Sequence, residues 1–173
     1  MTSWQRTHTC GALTEADTGK EVVLNGWIEN HRDHGGLCFI DLRDRYGVTQ
    51  VVYDQDNVGA ELYETVRRLG AEDVIGIRGV VVEREPERVN KKRTTGTIEI
   101  QATHIDVLNE AEPPPFEILD DAESNEELRM RYRYLDLRRR PMQDALVKRG
   151  KFTTAVRNYL AENDFVDVET PIL

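Results

Sequence analysis

The chain has 173 residues, 39% of them hydrophobic and 32% charged, and carries a net charge of −9 at neutral pH. That composition excludes a disordered chain, and that length holds one ordinary domain with part of another rather than a large enzyme around a complete active site. No apolar run approaches the roughly 20 residues of a membrane-spanning helix, and the first ten residues lack the apolar core of a secretion signal, which predicts a cytoplasmic protein without a membrane partner.

In chain order, residues 22–28, 37–43 and 48–53 are apolar, β-branched stretches separated by Asp33-His34-Gly35-Gly36 and Asp44-Arg45-Tyr46-Gly47. Short strands divided by Gly and Asp turns predict a meander. Trp27 is read as part of its core. Residues 57–70 change period. Val58, Leu62, Val66 and Leu69 fall at helical spacing, and Gly70 is a natural C-cap. Strands return at 74–82 and 97–107, joined by a polar loop in which Arg84, Arg88, Lys91, Lys92 and Arg93 alternate with acidic residues. Three strands, a helix and two more strands is the order of a five-stranded OB-fold barrel, a scaffold that binds oligonucleotides.

The triple proline at 113–115 breaks regular structure and marks a linker. Ser124 and Glu127 have capping-box spacing, so a helix is expected from Leu128 to about Tyr134. Pro141 suits the first turn of a longer helix whose apolar stripe includes Phe152, Val156 and Tyr159. Residues 165–169 then read as a strand ended by Pro171. Segment 129–151 holds nine basic residues against Asp136 and Asp144, so it is locally +7 in a chain that is otherwise acidic. Either basic cluster taken alone is as readily a solvated face as a nucleic-acid footprint. The organisation expected is a barrel over 1–109, a hinge over 110–135 and the start of a further domain over 136–173.

No phosphate loop, HExxH, GxSxG or metal-spaced Cys/His set is present. His8, His31, His34 and His104 are scattered. Cys10 and Cys38 lack CxxC spacing and are read as reduced, partly buried thiols. The residues therefore argue for binding rather than catalysis. A barrel that reads single-stranded bases needs aromatic faces, side-chain amides or carboxylates for base edges, and cations for the backbone. Phe39 on the second strand, Gln50 on the third, Arg32 ending the first, Arg84 ending the fourth and Glu99 on the fifth supply these. From pattern alone, Phe39 is equally a core aromatic and the others ordinary exposed strand residues.

Gly26-Trp27, Arg32-Asp33, the string from Phe39 to Asp44 (Phe-Ile-Asp-Leu-Arg-Asp), Gly47 and Gln50-Val51 together resemble the anticodon-binding domain of class IIb aminoacyl-tRNA synthetases. Residues 131–139, Arg-Tyr-Arg-Tyr-Leu-Asp-Leu-Arg-Arg, are similar to the aspartyl enzymes of bacterial type, and lysyl enzymes share only part of that string. Residues 165–173 resemble motif 1 of class II synthetases. The resemblance runs from about residue 7 to the last residue, with three motifs in the family's order and spacing. It implies a barrel that selects a tRNA for an aspartate–tRNA ligase, with tRNA-Asp as partner. Phe39 then matches the aromatic that stacks on an anticodon base, Gln50 the residue that bonds the central uracil, and Arg32 an arginine at the rim. Arg84, Asn90 and Glu99 fall where the outer bases are contacted, although Asn90 lies in the loop that departs most from the pattern. Val52 replaces a second aromatic of some members, which implies weaker stacking. Phe152, Val156, Tyr159 and Pro171 belong to motif 1, the homodimer interface of such enzymes. ATP and magnesium are implied for the full-length enzyme but are held by later motifs, so this chain alone is expected to be inactive. His34 follows Arg-Asp in the first turn, where the family tends to have Leu in enzymes strict for tRNA-Asp and His in those that also charge tRNA-Asn. A stand-alone OB-fold nucleic-acid-binding or regulatory protein is the alternative, and residues 124–173 serve no evident purpose in it.

Overall fold

The computed structural model describes residues 5–120 and 124–171. It divides into two compact units, Met1–Pro114 and Pro115–Leu173. The first is a closed barrel of β1 (Glu21–Asp33), β2 (Leu37–Arg43), β3 (Val48–Asp54), β4 (Val74–Glu83) and β5 (Ile98–Asn109). Neighbours run β1-β2-β3-β5-β4, and β4 pairs back onto β1. Every pair is antiparallel except β3 with β5, whose short parallel ladder joins Val51 to Ile100 and Val52 to Gln101. This is the mainly β, five-stranded OB-fold that the element order predicts.

Alternation along each strand fills the interior. Val22, Leu24 and Ile28 of β1, Ile40 and Leu42 of β2, Val51 of β3, Ile75 and Ile77 of β4 and Ile98 and Ile100 of β5 are all buried. Removing each such side chain from water contributes about 1.5–3 kcal/mol. Trp27 lies outside this core and is only half-buried, contrary to the sequence reading. It has the opposite parity to Leu24 and Ile28, so the pleat turns it outward, where it pairs with Arg43 and Val74.

β1 also carries a bulge between Ile28 and Asn30 that leaves Glu29 as the extra residue. The bulge resets the alternation. Before it, odd-numbered residues face out, and after it Asn30 and Arg32 do.

The expected single helix over 57–70 is two: α1 (Gln55–Val58) and α2 (Ala60–Arg67). Asp54 caps α1 by accepting from Asp56 N at 3.0 Å. Gly59 then sits at φ 82°, outside helical space, and breaks the run. The C-cap of α2 is Arg68 rather than Gly70, and Tyr63 and Val66 on its inner face are buried in the barrel core.

In the second unit, the helix start is Asn125, not Ser124. The Asn125 side chain accepts from Glu127 N at 2.9 Å and caps α3 (Glu126–Arg131). The chain leaves helical geometry at Tyr132 (φ −109°, ψ 48°), so α4 (Arg133–Asp136) is a separate turn. Phe116, Ile118 and Leu135 form a small core with Leu128 and Tyr132. Beneath them Asp136 is fully buried and bonded by Arg133 and Arg139. α5 (Arg140–Glu162) has Pro141 in its first turn as expected, and none of its residues is buried. The strand expected over 165–169 is exposed chain without regular structure, because a strand needs a hydrogen-bonded neighbour strand and none of the described residues of this unit forms one. No helix among the described residues is long and apolar enough to cross a membrane.

Candidate nucleic-acid interface

Strand register aligns two rows of outward side chains across the barrel. One runs Arg32, Phe39, Val52, Gln101, Val80, each residue opposite the next on the neighbouring strand. The adjacent row contains Asn30, Asp41 and Gln50, and continues to Glu99 and Val82. The first row carries Phe39, Val52 and Val80 beside Arg32 and Gln101, and the second is a strip of amides and charges to which Arg32 is bonded. The Glu29 bulge is what turns Asn30 and Arg32 onto this face.

The polar row is bonded end to end. Arg32 Nη2 donates to Gln50 Oε1 at 3.5 Å, and Gln50 Nε2 donates to Glu99 Oε2 at 3.1 Å. Glu99 faces Arg84 Nε at 3.7 Å. Four residues from four different parts of the chain, each singled out in the sequence, are thus brought together. Phe39 is half-buried beside them, with one face bordering a groove of about 450 Å³ lined also by Val52, Val80 and Gln101. A half-buried ring offers a flat face to a base without having to order itself first.

Arg84 is the most enclosed cation of the row, its side chain only 5% exposed. Nε donates to Ile98 O at 2.9 Å, while Nη2 is buried with no hydrogen-bond partner among the described residues. Burial lowers its pKa, and Glu99 opposes that shift. A buried donor without an acceptor is costly, and a carbonyl or phosphate oxygen seated there would satisfy it.

Asn90 does not join the row. Its Oδ1 accepts from Lys92 N at 3.0 Å and its carbonyl from Arg93 N at 3.2 Å, so it shapes its own loop. Gly96 closes that loop with its Cα so near the Asn90 carbonyl that a Cβ would lie 1.8 Å from the oxygen. The folded loop delivers Arg93 instead. Arg93 makes a bidentate bond to Asp41, Nη1 to Oδ1 at 2.7 Å and Nη2 to Oδ2 at 3.0 Å. Asp41 is completely buried and also accepts from Arg32 at 3.2 Å and Asn30 at 3.3 Å. Neither Asp41 nor Arg93 stands out in the sequence. Asp41 looks like one more alternating strand residue, and only the basic run around Arg93 hinted at it. Arg93 and Arg43 also approach Glu29, whose carboxyl pKa is nonetheless raised, because burial outweighs the two arginines.

His34 is exposed at the tip of the β1–β2 hairpin, its ring edge-on to Phe39 at 5.4 Å and 84°. Phe152, Val156 and Tyr159 lie on α5 in the second unit, with exposures of 71%, 40% and 65%, and Pro171 is exposed beyond it. Cys10 and Cys38 are free and buried, and burial pushes both thiols up. Among the described residues no group of three His, Cys, Asp or Glu gathers as a metal site.

Two family models match the chain: an OB-fold nucleic-acid-binding domain over residues 22–108, and the class II tRNA synthetases (D, K and N) over residues 125–173. An aspartate–tRNA(Asp/Asn) ligase of Anaeromyxobacter sp. (strain K) is 49% identical over all 173 residues, and that of Thermoanaerobacter pseudethanolicus is 50% identical over 98% of the chain. The chain spans 28% of the length of each of these relatives. The aspartyl-tRNA synthetase of Entamoeba histolytica shares the fold, with a TM-score of 0.83 at 22% identity over 91% of this chain and 37% of that one.

Proposed function

The chain belongs to the family of OB-fold nucleic-acid-binding domains, and from that membership we propose that its barrel reads the anticodon of a transfer RNA on behalf of an aspartate–tRNA ligase. The observation that carries this reading is the bonded row Arg32, Gln50, Glu99, Arg84 set beside the half-buried face of Phe39. Phe39 stacks on one base. Gln50, whose amide is already oriented by Arg32 and Glu99, presents it to the edge of the central base. Arg32, Arg84 and Glu99 take the flanking bases, with Asn90 holding the loop that borders them. Arg93 adds a cation for the phosphate backbone.

The ligase names of the relatives support the aspartate assignment, and residues 125–173, which match class II synthetases, favour it over a stand-alone barrel. In this reading the domains are a barrel over 1–109, a hinge over 110–135 and the start of a catalytic domain from 136. ATP and magnesium serve the whole ligase, a cytoplasmic homodimer paired through the α5 face of Phe152, Val156 and Tyr159 and the segment to Pro171. This chain's own residues select RNA. His34, a group that can both donate and accept, extends that selection from tRNA-Asp to tRNA-Asn; what supports the wider choice is that the relatives are named for both tRNAs.

The test is binding of an anticodon stem-loop carrying G-U-C to the 173-residue chain at fixed low salt. Phe39→Ala should lose a stack worth about 1–3 kcal/mol. A folded Phe39→Ala variant that binds as tightly as the parent would refute the assignment.

A further inference from the structure

The hairpin that carries His34 is held from outside by a helix. β1 ends at Asp33 and β2 begins at Leu37, with His34 N donating to Leu37 O at 2.9 Å across the turn. Gly35 and Gly36 both have positive φ, 67° and 102°, as the tight turns that suit twisted hairpins require. Both glycine N–H groups are claimed by side chains. Gly35 N donates to Asp33 Oδ1 at 2.9 Å, and Gly36 N donates to the Tyr63 hydroxyl at 2.9 Å. That hydroxyl in turn donates to Asp33 Oδ1 at 3.0 Å, while Arg67 Nε donates to Asp33 Oδ2 at 2.7 Å. Gly36 O accepts from Gln55 N, the first residue of α1, at 2.9 Å.

Tyr63 and Arg67 lie one turn apart on α2, whose ring and aliphatic side chains are packed into the barrel core. Tyr63 is 3% exposed, so its hydroxyl reaches the turn from a fixed base. A glycine pair with freely rotating backbone would otherwise let His34 swing. Here both glycine N–H groups, the Gly36 carbonyl and both oxygens of the Asp33 carboxylate are bonded, and His34 is left in edge contact with Phe39.

We propose that the Asp33–Tyr63–Arg67 clamp is a positioning device for base recognition: it fixes His34 against Phe39 so that the imidazole meets the third anticodon base, although Tyr63 and Arg67 touch no RNA themselves. This rests on the anticodon reading proposed above. Distance from the RNA is what makes the assignment informative, because loss of a merely structural bond would weaken binding of every RNA alike.

The experiment measures affinity of the 173-residue chain for two stem-loops, one intact and one abasic at the third anticodon position. Tyr63→Phe removes only the hydroxyl, and Arg67→Gln, at a half-exposed position, serves if Tyr63→Phe does not fold. Either variant should weaken binding of the intact stem-loop about fivefold, the loss that corresponds to one hydrogen bond, and change binding of the abasic one less than twofold. In a His34→Ala background the same substitution should have no further effect on the intact stem-loop. Equal weakening on both RNAs, no weakening on either, or an undiminished effect in the His34→Ala background would overturn the clamp while leaving anticodon binding in place. Failure of the unaltered chain to bind the intact stem-loop, or insensitivity of that binding to Phe39→Ala, would instead remove the anticodon reading and the clamp with it.

Discussion

The barrel and α5 handle apolar surface in opposite ways. The barrel closes on itself, and its strands bury their inward branched residues at or near zero exposure. α5 is 23 residues long and buries none of them, although Phe152, Val156 and Leu160 line a groove of about 420 Å³ with Phe165 and Val166, and Tyr159 is exposed on the same helix. One unit is finished by its own chain, whereas the other presents a face of the kind that soluble proteins reserve for a partner. Stability should therefore be concentrated in the barrel and assembly in α5.

Substitutions can break that comparison. Leu42→Ala, in the centre of the barrel, should have the largest effect, about 2–5 kcal/mol of unfolding free energy read from urea melts. Asp41→Ala comes next. It strands the donors of Arg93, Arg32 and Asn30 and should cost about 1–3 kcal/mol, moderated because both arginines keep some access to water, with RNA affinity falling as well. A milder change is Asp33→Asn. The Gly35 N–H, followed by Tyr63 and Arg67, holds this carboxyl below its ordinary value. Its stabilising contribution is therefore present above the ordinary aspartate range and lost as pH falls through the lowered value. Parent and variant should differ in denaturation midpoint at neutral pH and converge in acid. A difference that persisted unchanged in acid would show that the charge is not what matters there. Phe152→Ala should be smallest, within about 0.5 kcal/mol on the melt, while weakening concentration-dependent self-association in sedimentation. A large loss of stability from Phe152→Ala in the monomer would erase the distinction between the two units.

The same contrast governs what was legible in the sequence. Barrel strands announce themselves because alternation is local and their partners lie in the same chain. The stretch 165–169 has strand composition too, but pairing is not a local property, and without a partner strand it forms no regular structure. Trp27 was misplaced by its size and rescued by parity. Asn125 rather than Ser124 holds the cap, a shift of one residue that spacing does not encode. Of the candidate site, Phe39, Gln50, Arg84 and Glu99 could be nominated from strand position and resemblance, and register and side-chain bonds bring them to one face. Asp41 and Arg93 could not, since a buried carboxylate bonded across three segments is invisible until those segments are folded.

The bulge in β1 has a consequence for how this strand can change in length. A one-residue deletion within regular strand exchanges the two faces for everything on one side of it. Deleting Glu29 does not, because that residue is the surplus one, and the strand on either side of it already faces as an unbulged strand of twelve would. Asn30 and Arg32 would still look outward and Ile28 inward, at the cost of the contacts Glu29 makes with Arg43 and Arg93. Shortening by one residue at Val23 or Leu24 would instead shift those facings. Glu29 thus marks a point in the strand where length can drift without turning the candidate interface inside out.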